Sequence, residues 1–230
     1  MGSRETPSGT PLCFEGNTRM KRIGRFHVLT DTVLQTCLSH VELAGLAIAG
    51  GADTIQFREK SGSTKQMILT ATSLQALCRA AGVAFIVNDR VDVAIACGAD
   101  GVHLGQDDFN IPLARKLLGD RAIIGGSAST VEEARKCLTE GADYIGFGPV
   151  FPTGSKADAG PVSGLEVLRQ VVETIPLPIV AIGGITTENA PLVMEAGAHG
   201  IAVISAVCCQ ADPTGAARSL RCALDGVARD

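Results

Sequence analysis

Ala96-Cys97-Gly98-Ala99-Asp100-Gly101-Val102-His103-Leu104 reads as the end of a helix, a glycine turn and a short buried strand. Gly98 accepts the left-handed backbone that closes a helix, and the apolar run after it suits a strand covered on both faces. The same turn recurs as Ala49-Gly50-Gly51-Ala52-Asp53, Thr139-Glu140-Gly141-Ala142-Asp143 and Glu195-Ala196-Gly197-Ala198-His199, each just before an apolar run. A helix-to-strand return used repeatedly is what parallel strands need, because each must come back to the same end of the sheet through a crossover.

Outward from these turns the pattern predicts strands at Phe26–Thr30, Thr54–Arg58, Ala84–Asn88, Gly101–Leu104, Ala122–Gly126, Tyr144–Gly148, Ile179–Gly183 and Gly200–Ser205. It predicts helices at His40–Ala49, Thr64–Ala80, Val91–Cys97, Ile111–Leu118, Val131–Thr139, Leu165–Thr174, Thr187–Glu195 and Thr214–Leu224. Strict alternation of eight strands and eight helices over 230 residues argues for an α/β fold of the closed (β/α)8 TIM-barrel type, in one domain over 24–230. Residues 1–23, rich in Gly, Ser, Thr and Pro without periodicity, read as a flexible tail.

Composition agrees and excludes several function classes. With one Tyr, seven Phe and no Trp, the core must be built from Val, Ile, Leu and Ala. A net charge of −4, without a basic run past Arg25, argues against a nucleic-acid surface. No uninterrupted apolar stretch is long enough for a membrane span, and no secretory signal is visible. The eight Cys lack C-x-x-C spacing and read as free thiols of a reducing cytoplasm. Whether the chain forms a homo-oligomer is left open.

If the repeated turns lie on the stability face of a barrel, the strand C-termini face its mouth. That rim collects Asp31, then Gln56, Arg58 and Lys60, then Asn88 and Asp89, then His103, Gln106, Asp107 and Asp108. Further round come Ser127 and Ser129, the loop Pro152-Thr153-Gly154-Ser155-Lys156, Gly183-Gly184 and Ser205. Alternation along Gln56-Phe57-Arg58-Glu59-Lys60 puts Gln56, Arg58 and Lys60 on one face. Two cations there imply an anionic partner, either a ligand or Glu59 or a neighbour. The Asn88-Asp89 and Asp107-Asp108 pairs offer hard oxygens suited to Mg²⁺, with Asp92 and Asp107 competing for the metal role. His103 reads first as a hydrogen-bonded core residue. Gly183-Gly184, together with the strand end at Ser205, suits a phosphate held by backbone N–H groups.

These residues in this order resemble the thiamin phosphate synthase family. The likeness is carried by Gln56-Phe57-Arg58-Glu59-Lys60, Asn88-Asp89-Arg90-Val91-Asp92, the stretch from Gly101 to Asp108, the stretch from Gly141 to Thr153, and Ala181-Ile182-Gly183-Gly184-Ile185, and it extends from about Phe26 to Ser219. The resemblance implies a Mg²⁺-dependent transferase that joins hydroxymethylpyrimidine diphosphate to hydroxyethylthiazole phosphate. Diphosphate leaves first, and the thiazole nitrogen captures the pyrimidine methylene cation. It further implies that Gln56, Arg58, Lys60 and Asn88 hold the pyrimidine diphosphate and that Asp89 and Asp108 bind Mg²⁺. Ser127 would lie near the pyrimidine, Thr153, Ser155 and Lys156 would cover the substrates, and Gly184, Ile204 and Ser205 would receive the thiazole phosphate. Of these, Lys60, Arg58, Ser127 and Lys156 are the expected catalytic groups.

Two departures bear on substrate fit. Thr153-Gly154-Ser155-Lys156 stands where the family commonly has Thr-x-Thr-Lys, and Ser127-Ala128-Ser129-Thr130 lacks a His often found after the first Ser. The alternatives are a thiazole tautomerase-like isomerase, which would not need the full cation and acid set, and a non-catalytic barrel that binds a phosphate ligand.

Overall fold

A computed structural model of the chain describes residues 23–155 and 160–227. Eight strands, β1 (Phe26–Thr30), β2 (Thr54–Phe57), β3 (Ala84–Asn88), β4 (Gly101–Leu104), β5 (Ile123–Ala128), β6 (Tyr144–Phe147), β7 (Ile179–Ile182) and β8 (Gly200–Val203), pair in parallel and close in sequence order. The covering helices are α1 (His40–Ala49), α2 (Thr64–Ala81), α3 (Val91–Cys97), α4 (Ile111–Leu118), α5 (Val131–Glu140), α6 (Gly164–Thr174), α7 (Ala190–Glu195), α8 (Ser205–Cys208) and α9 (Pro213–Asp225). The expected (β/α)8 barrel is therefore present, with α8 as an additional single turn. Among the described residues, no helix is long and apolar enough to cross a membrane, and the seven cysteines are free thiols.

The repeated turn has a physical role that its spacing foreshadows. It stands before β2, β4, β6 and β8, once for every two strand–helix units. Gly51, Gly98, Gly141 and Gly197 all take positive φ, the conformation that glycine reaches without steric penalty. In three copies the Asp then clamps the start of the preceding strand. Asp100 donates its N–H to the Phe85 carbonyl (3.0 Å) and accepts the Phe85 N–H on its carboxylate (2.9 Å). Asp143 treats Ile124 in the same way, at 2.7 and 2.8 Å. Asp53 bonds Phe26 at 3.1 and 2.9 Å. In the fourth copy His199 donates its N–H to the Ile179 carbonyl, while its ring bonds the Ile23 carbonyl. The barrel floor is thus closed by a reciprocal clasp on β1, β3 and β5 and by a single backbone bond on β7.

Strand alternation divides the core in two. Phe26, Val28, Ile55, Phe57, Phe85, Val87, Val102 and Leu104 pack outward against the helices. Leu29, Ile86, Ile123, Tyr144, Val180, Ala202 and Ile204 fill the inside.

Several ends differ from the sequence reading. β5 runs on to Ala128, because Gly125 and Gly126 do not end the strand. They leave room for neighbours: a Cβ at Gly125 would meet the Tyr144 and His103 rings within 2.5 Å, and one at Gly126 the Cys137 sulfur at 2.7 Å. β8 stops at Val203, since Ile204 turns to ψ −84° and accepts the first helical bond of α8 from Cys208. Ser205 therefore opens a helical turn instead of ending a strand. α7 begins at Ala190, not Thr187. Pro191 suits only the first turn of a helix, and Asn189 uses its side chain to hold Thr186 and Gly184 in the preceding loop.

Candidate active site

The strand C-termini surround a cavity of about 420 Å³. Arg58, Lys60, Asn88, Asp89, Asp107, Asp108, Ser127, Thr153, Ser155, Gly184, Ile204 and Ser205 all line it. Gln56 lies deeper, buried inside the barrel, where it bonds the Tyr144 hydroxyl. Lys156, expected over the mouth, lies outside the described residues.

On one side of the cavity the groups are charged. β2 ends at Phe57, so Arg58 stands just past the ladder, with its N–H on the Thr30 carbonyl. Neither cation is without an internal partner, which revises the inference from Gln56-Phe57-Arg58-Glu59-Lys60. Arg58 pairs with Asp31 in a buried contact, and the half-exposed Lys60 places its Nζ 2.5 Å from Asp89. Glu59, the partner considered from sequence, instead faces His40 at 3.3 Å. It also accepts the N–H and hydroxyl of Ser61.

Asp89 is the strained residue of this sector. It holds φ +63°, a left-handed value that is uncommon without glycine, fixed by its N–H on the His103 carbonyl (2.8 Å). Such strain costs about 1–3 kcal/mol and tends to mark functional positions. Burial, then the Asp108 carboxylate beside it, push Asp89 above the usual carboxylate range, while Lys60 pulls it down. Asp108 is in turn held by the Gly105 N–H at 2.7 Å. The acids that spacing left open differ in placement. Asp89 and Asp108 touch, Asp107 lines the cavity without entering that pair, and Asp92 turns away to Arg90 on the surface. Two neighbouring carboxylates with partial desolvation fit a divalent cation that keeps most of its shell for water and phosphate.

A polar chain runs up through the barrel to the floor of the cavity. Gln56 bonds Tyr144, Tyr144 bonds His103 Nδ1 at 2.9 Å, and His103 Nε2 bonds the Ser127 hydroxyl at 2.9 Å. His103 is thus a hydrogen-bonded core residue, as read, but one that ends on a cavity-lining hydroxyl. Gln106 adds a 2.7 Å bond to the Ser127 carbonyl. Nothing local in the sequence marks Tyr144 as part of this polar chain, because its partners come from other strands.

Among the described residues, the opposite side is formed by uncharged groups. Gly183 and Gly184 take φ +98° and +63°, and Ser205 opens α8. The Ser205 hydroxyl meets that of Ser155 at 2.9 Å, joining the loop after β6 to this wall. Gly184 is also required for packing, since a Cβ there would lie 2.4 Å from the Pro152 carbonyl oxygen. A Gly184→Ala change would consequently disturb the covering loop as well as any anion.

Comparison with known proteins relates the chain to one family by sequence. The family model described as thiamine monophosphate synthase matches residues 27–207. The chain is 52% identical over 210 residues to the thiamine-phosphate synthase of Salinibacter ruber, covering 91% of this chain and 92% of that protein. It is 55% identical over 195 residues to that of Methanocella arvoryzae, covering 85% and 92%. Among solved structures, a thiamine phosphate pyrophosphorylase from Pyrococcus furiosus superposes with a TM-score of 0.81 at 42% identity, covering 88% of this chain and 96% of that one.

Proposed function

The chain belongs to the thiamine monophosphate synthase family, and from that membership we propose that it joins hydroxymethylpyrimidine diphosphate to hydroxyethylthiazole phosphate, giving thiamine phosphate and diphosphate. The observation that carries this reading is one cavity with two unlike walls. Arg58, Lys60, Asn88, Asp89 and Asp108 form one wall, and Gly184, Ile204 and Ser205 the other.

The charged wall suits a diphosphate that departs. Arg58 and Lys60 neutralise charge as it builds on the leaving oxygens, which is transition-state electrostatics. Asn88 adds a neutral hydrogen-bonding group. Asp89 and Asp108 would hold Mg²⁺, which when bound supplies further neutralisation of the diphosphate. The Ser127 hydroxyl, fixed by His103, is a hydrogen-bonding group for the pyrimidine, with Gln56 and Tyr144 fixing His103 from below. The uncharged wall suits the phosphate of the second substrate, which stays attached and needs binding without strong polarisation. Thr153 and Ser155 stand over the cavity, and Lys156 joins them by position in the sequence. Water must be kept from the pyrimidine cation until the thiazole nitrogen reaches it, which is the task of that covering loop. The barrel is read as one catalytic domain, and the free thiols among the described residues support a cytoplasmic setting.

One coupling assay with both substrates, with and without Mg²⁺, tests the proposal. Thiamine phosphate formed only when all components are present supports it. Rearrangement of a thiazole substrate alone would point to an isomerase, and binding without turnover to a sensor.

A further inference from the structure

We propose that Asp31 is a positioning residue for the diphosphate substrate, acting through Arg58; the proposal rests on the reading of Arg58 as part of the diphosphate wall. Asp31 lies one residue beyond β1 and is 1% exposed. One carboxylate oxygen, Oδ2, takes Nη1 of Arg58. The other, Oδ1, is fixed by the backbone N–H groups of Val33 (2.8 Å) and Leu34 (3.1 Å). The carboxylate is therefore rigid before any ligand arrives. The Arg58 guanidinium it holds is also buried, yet lines the cavity beside Lys60 and Asn88.

The sign of this contact separates positioning from simple attraction. A carboxylate next to Arg58 lowers the positive field that a diphosphate would meet, so a site needing only charge would do better without Asp31. What Asp31 adds is orientation. A guanidinium carries five donors in a planar fork, and the bond to Asp31 fixes the plane in which the remaining donors reach into the cavity. Deprived of that acceptor, a buried guanidinium rotates toward water, because an unpaired buried cation is costly. Donors set in place beforehand need no reorganisation as charge develops.

A second brace holds the same corner. His40 Nδ1 bonds the Thr30 hydroxyl at 2.8 Å, and Nε2 reaches both Thr32 and Glu59 at 3.3 Å. His40 also packs edge-on against Phe57, with ring centroids 4.7 Å apart, so the connection between β1 and α1 is tied to the residues on both sides of Arg58. The polarity at the end of the first strand is explained without Asp31 touching substrate.

The test uses Asp31→Asn, which keeps an oxygen for Val33 and Leu34 but removes the charge facing Arg58. Steady-state kinetics with each substrate varied should show kcat down about 10- to 100-fold and a raised KM for the pyrimidine diphosphate. The KM for the thiazole phosphate should stay within about twofold, and inorganic diphosphate should bind more weakly by calorimetry. In an Arg58→Gln background, Asp31→Asn should add less than about twofold, since both changes act through one group. Should Asp31→Asn fail to fold, Asp31→Glu, which keeps the charge but moves the carboxylate, reads the same division between substrates. Equal loss for both substrates, tighter diphosphate binding, unchanged kinetics or fully multiplicative effects in the double variant would each overturn the proposal. Arg58→Gln alone separates the two levels. If it spares the diphosphate substrate, the reading of that wall fails; if it impairs that substrate while Asp31→Asn does not, only the role of Asp31 fails.

Discussion

At the floor of the barrel Asp53, Asp100 and Asp143 each hold the backbone of a strand start, at β1, β3 and β5, two of them with an arginine alongside, whereas at the mouth Asp31 faces the buried Arg58 and Asp89 faces both Lys60 and the Asp108 carboxylate. The residue type is the same and the consequence is opposite. A floor carboxylate completes a strand and adds to stability. A mouth carboxylate is either set against a buried cation or pressed against a second carboxylate, an arrangement that a folded chain gains little from on its own account. A carboxylate held against a buried cation or a second carboxylate is a better pointer to chemistry than charge as such.

Five experiments test that contrast, in falling order of size. Lys60→Ala should lower kcat about 100- to 1,000-fold, with a smaller change in KM for the pyrimidine diphosphate, because the cation acts most as charge develops on the leaving oxygens. A near-normal kcat with raised KM would reduce Lys60 to a binding residue. Asp108→Asn should cost on the order of 100-fold in kcat while the thiazole phosphate KM barely moves, and the variant should require more Mg²⁺ to reach half its own maximal rate. Equal loss on both substrates would mean that the two walls are not independent.

The floor should respond in stability instead. Asp143→Ala strands the Ile124 N–H and removes the carboxylate partner of Arg115, so urea unfolding should show a loss of about 1–3 kcal/mol with kcat unchanged. An activity loss as large as that at the mouth would erase the distinction between the two ends. The floor also has a pH signature through His27, whose pKa burial lowers to about 4, with Asp53 pulling it upward. The folded state keeps His27 neutral while the unfolded chain protonates it below its ordinary value of 6.5. Its contribution is therefore fully present above pH 6.5 and is lost as pH falls toward 4, on the order of 2 kcal/mol between pH 7 and 5. Chemical denaturation at the two pH values should show a flatter dependence for His27→Gln; an unchanged slope would assign the acid sensitivity elsewhere. The smallest effect is expected at the uncharged wall, where Ser205→Ala removes one neutral hydrogen bond and should raise the thiazole phosphate KM roughly 2- to 10-fold. A larger rise in the KM for the diphosphate substrate would place Ser205 on the wrong side of the cavity.

Much of this was legible in the chain. The turn repeated at Gly51, Gly98, Gly141 and Gly197 determined the alternation and so the barrel, because a glycine in the left-handed region and the apolar run after it are local requirements that each segment meets by itself. Motif order likewise determined the family and gathered the polar strand ends onto one rim. Partner choice was decided only by the fold. That Arg58 meets Asp31 and not Glu59, that Asp89 leans on Asp108 and not Asp107, and that Tyr144 joins His103 to Gln56 all follow from barrel closure, which sets side by side residues far apart in the chain. The ends of β5 and β8 escaped for the same reason. Gly125 and Gly126 answer to the Tyr144 and His103 rings and to Cys137, and the turn at Ile204 commits Ser205 to α8. Contacts of that kind depend on register between strands, and register is a property of the closed sheet, not of any one strand's residues.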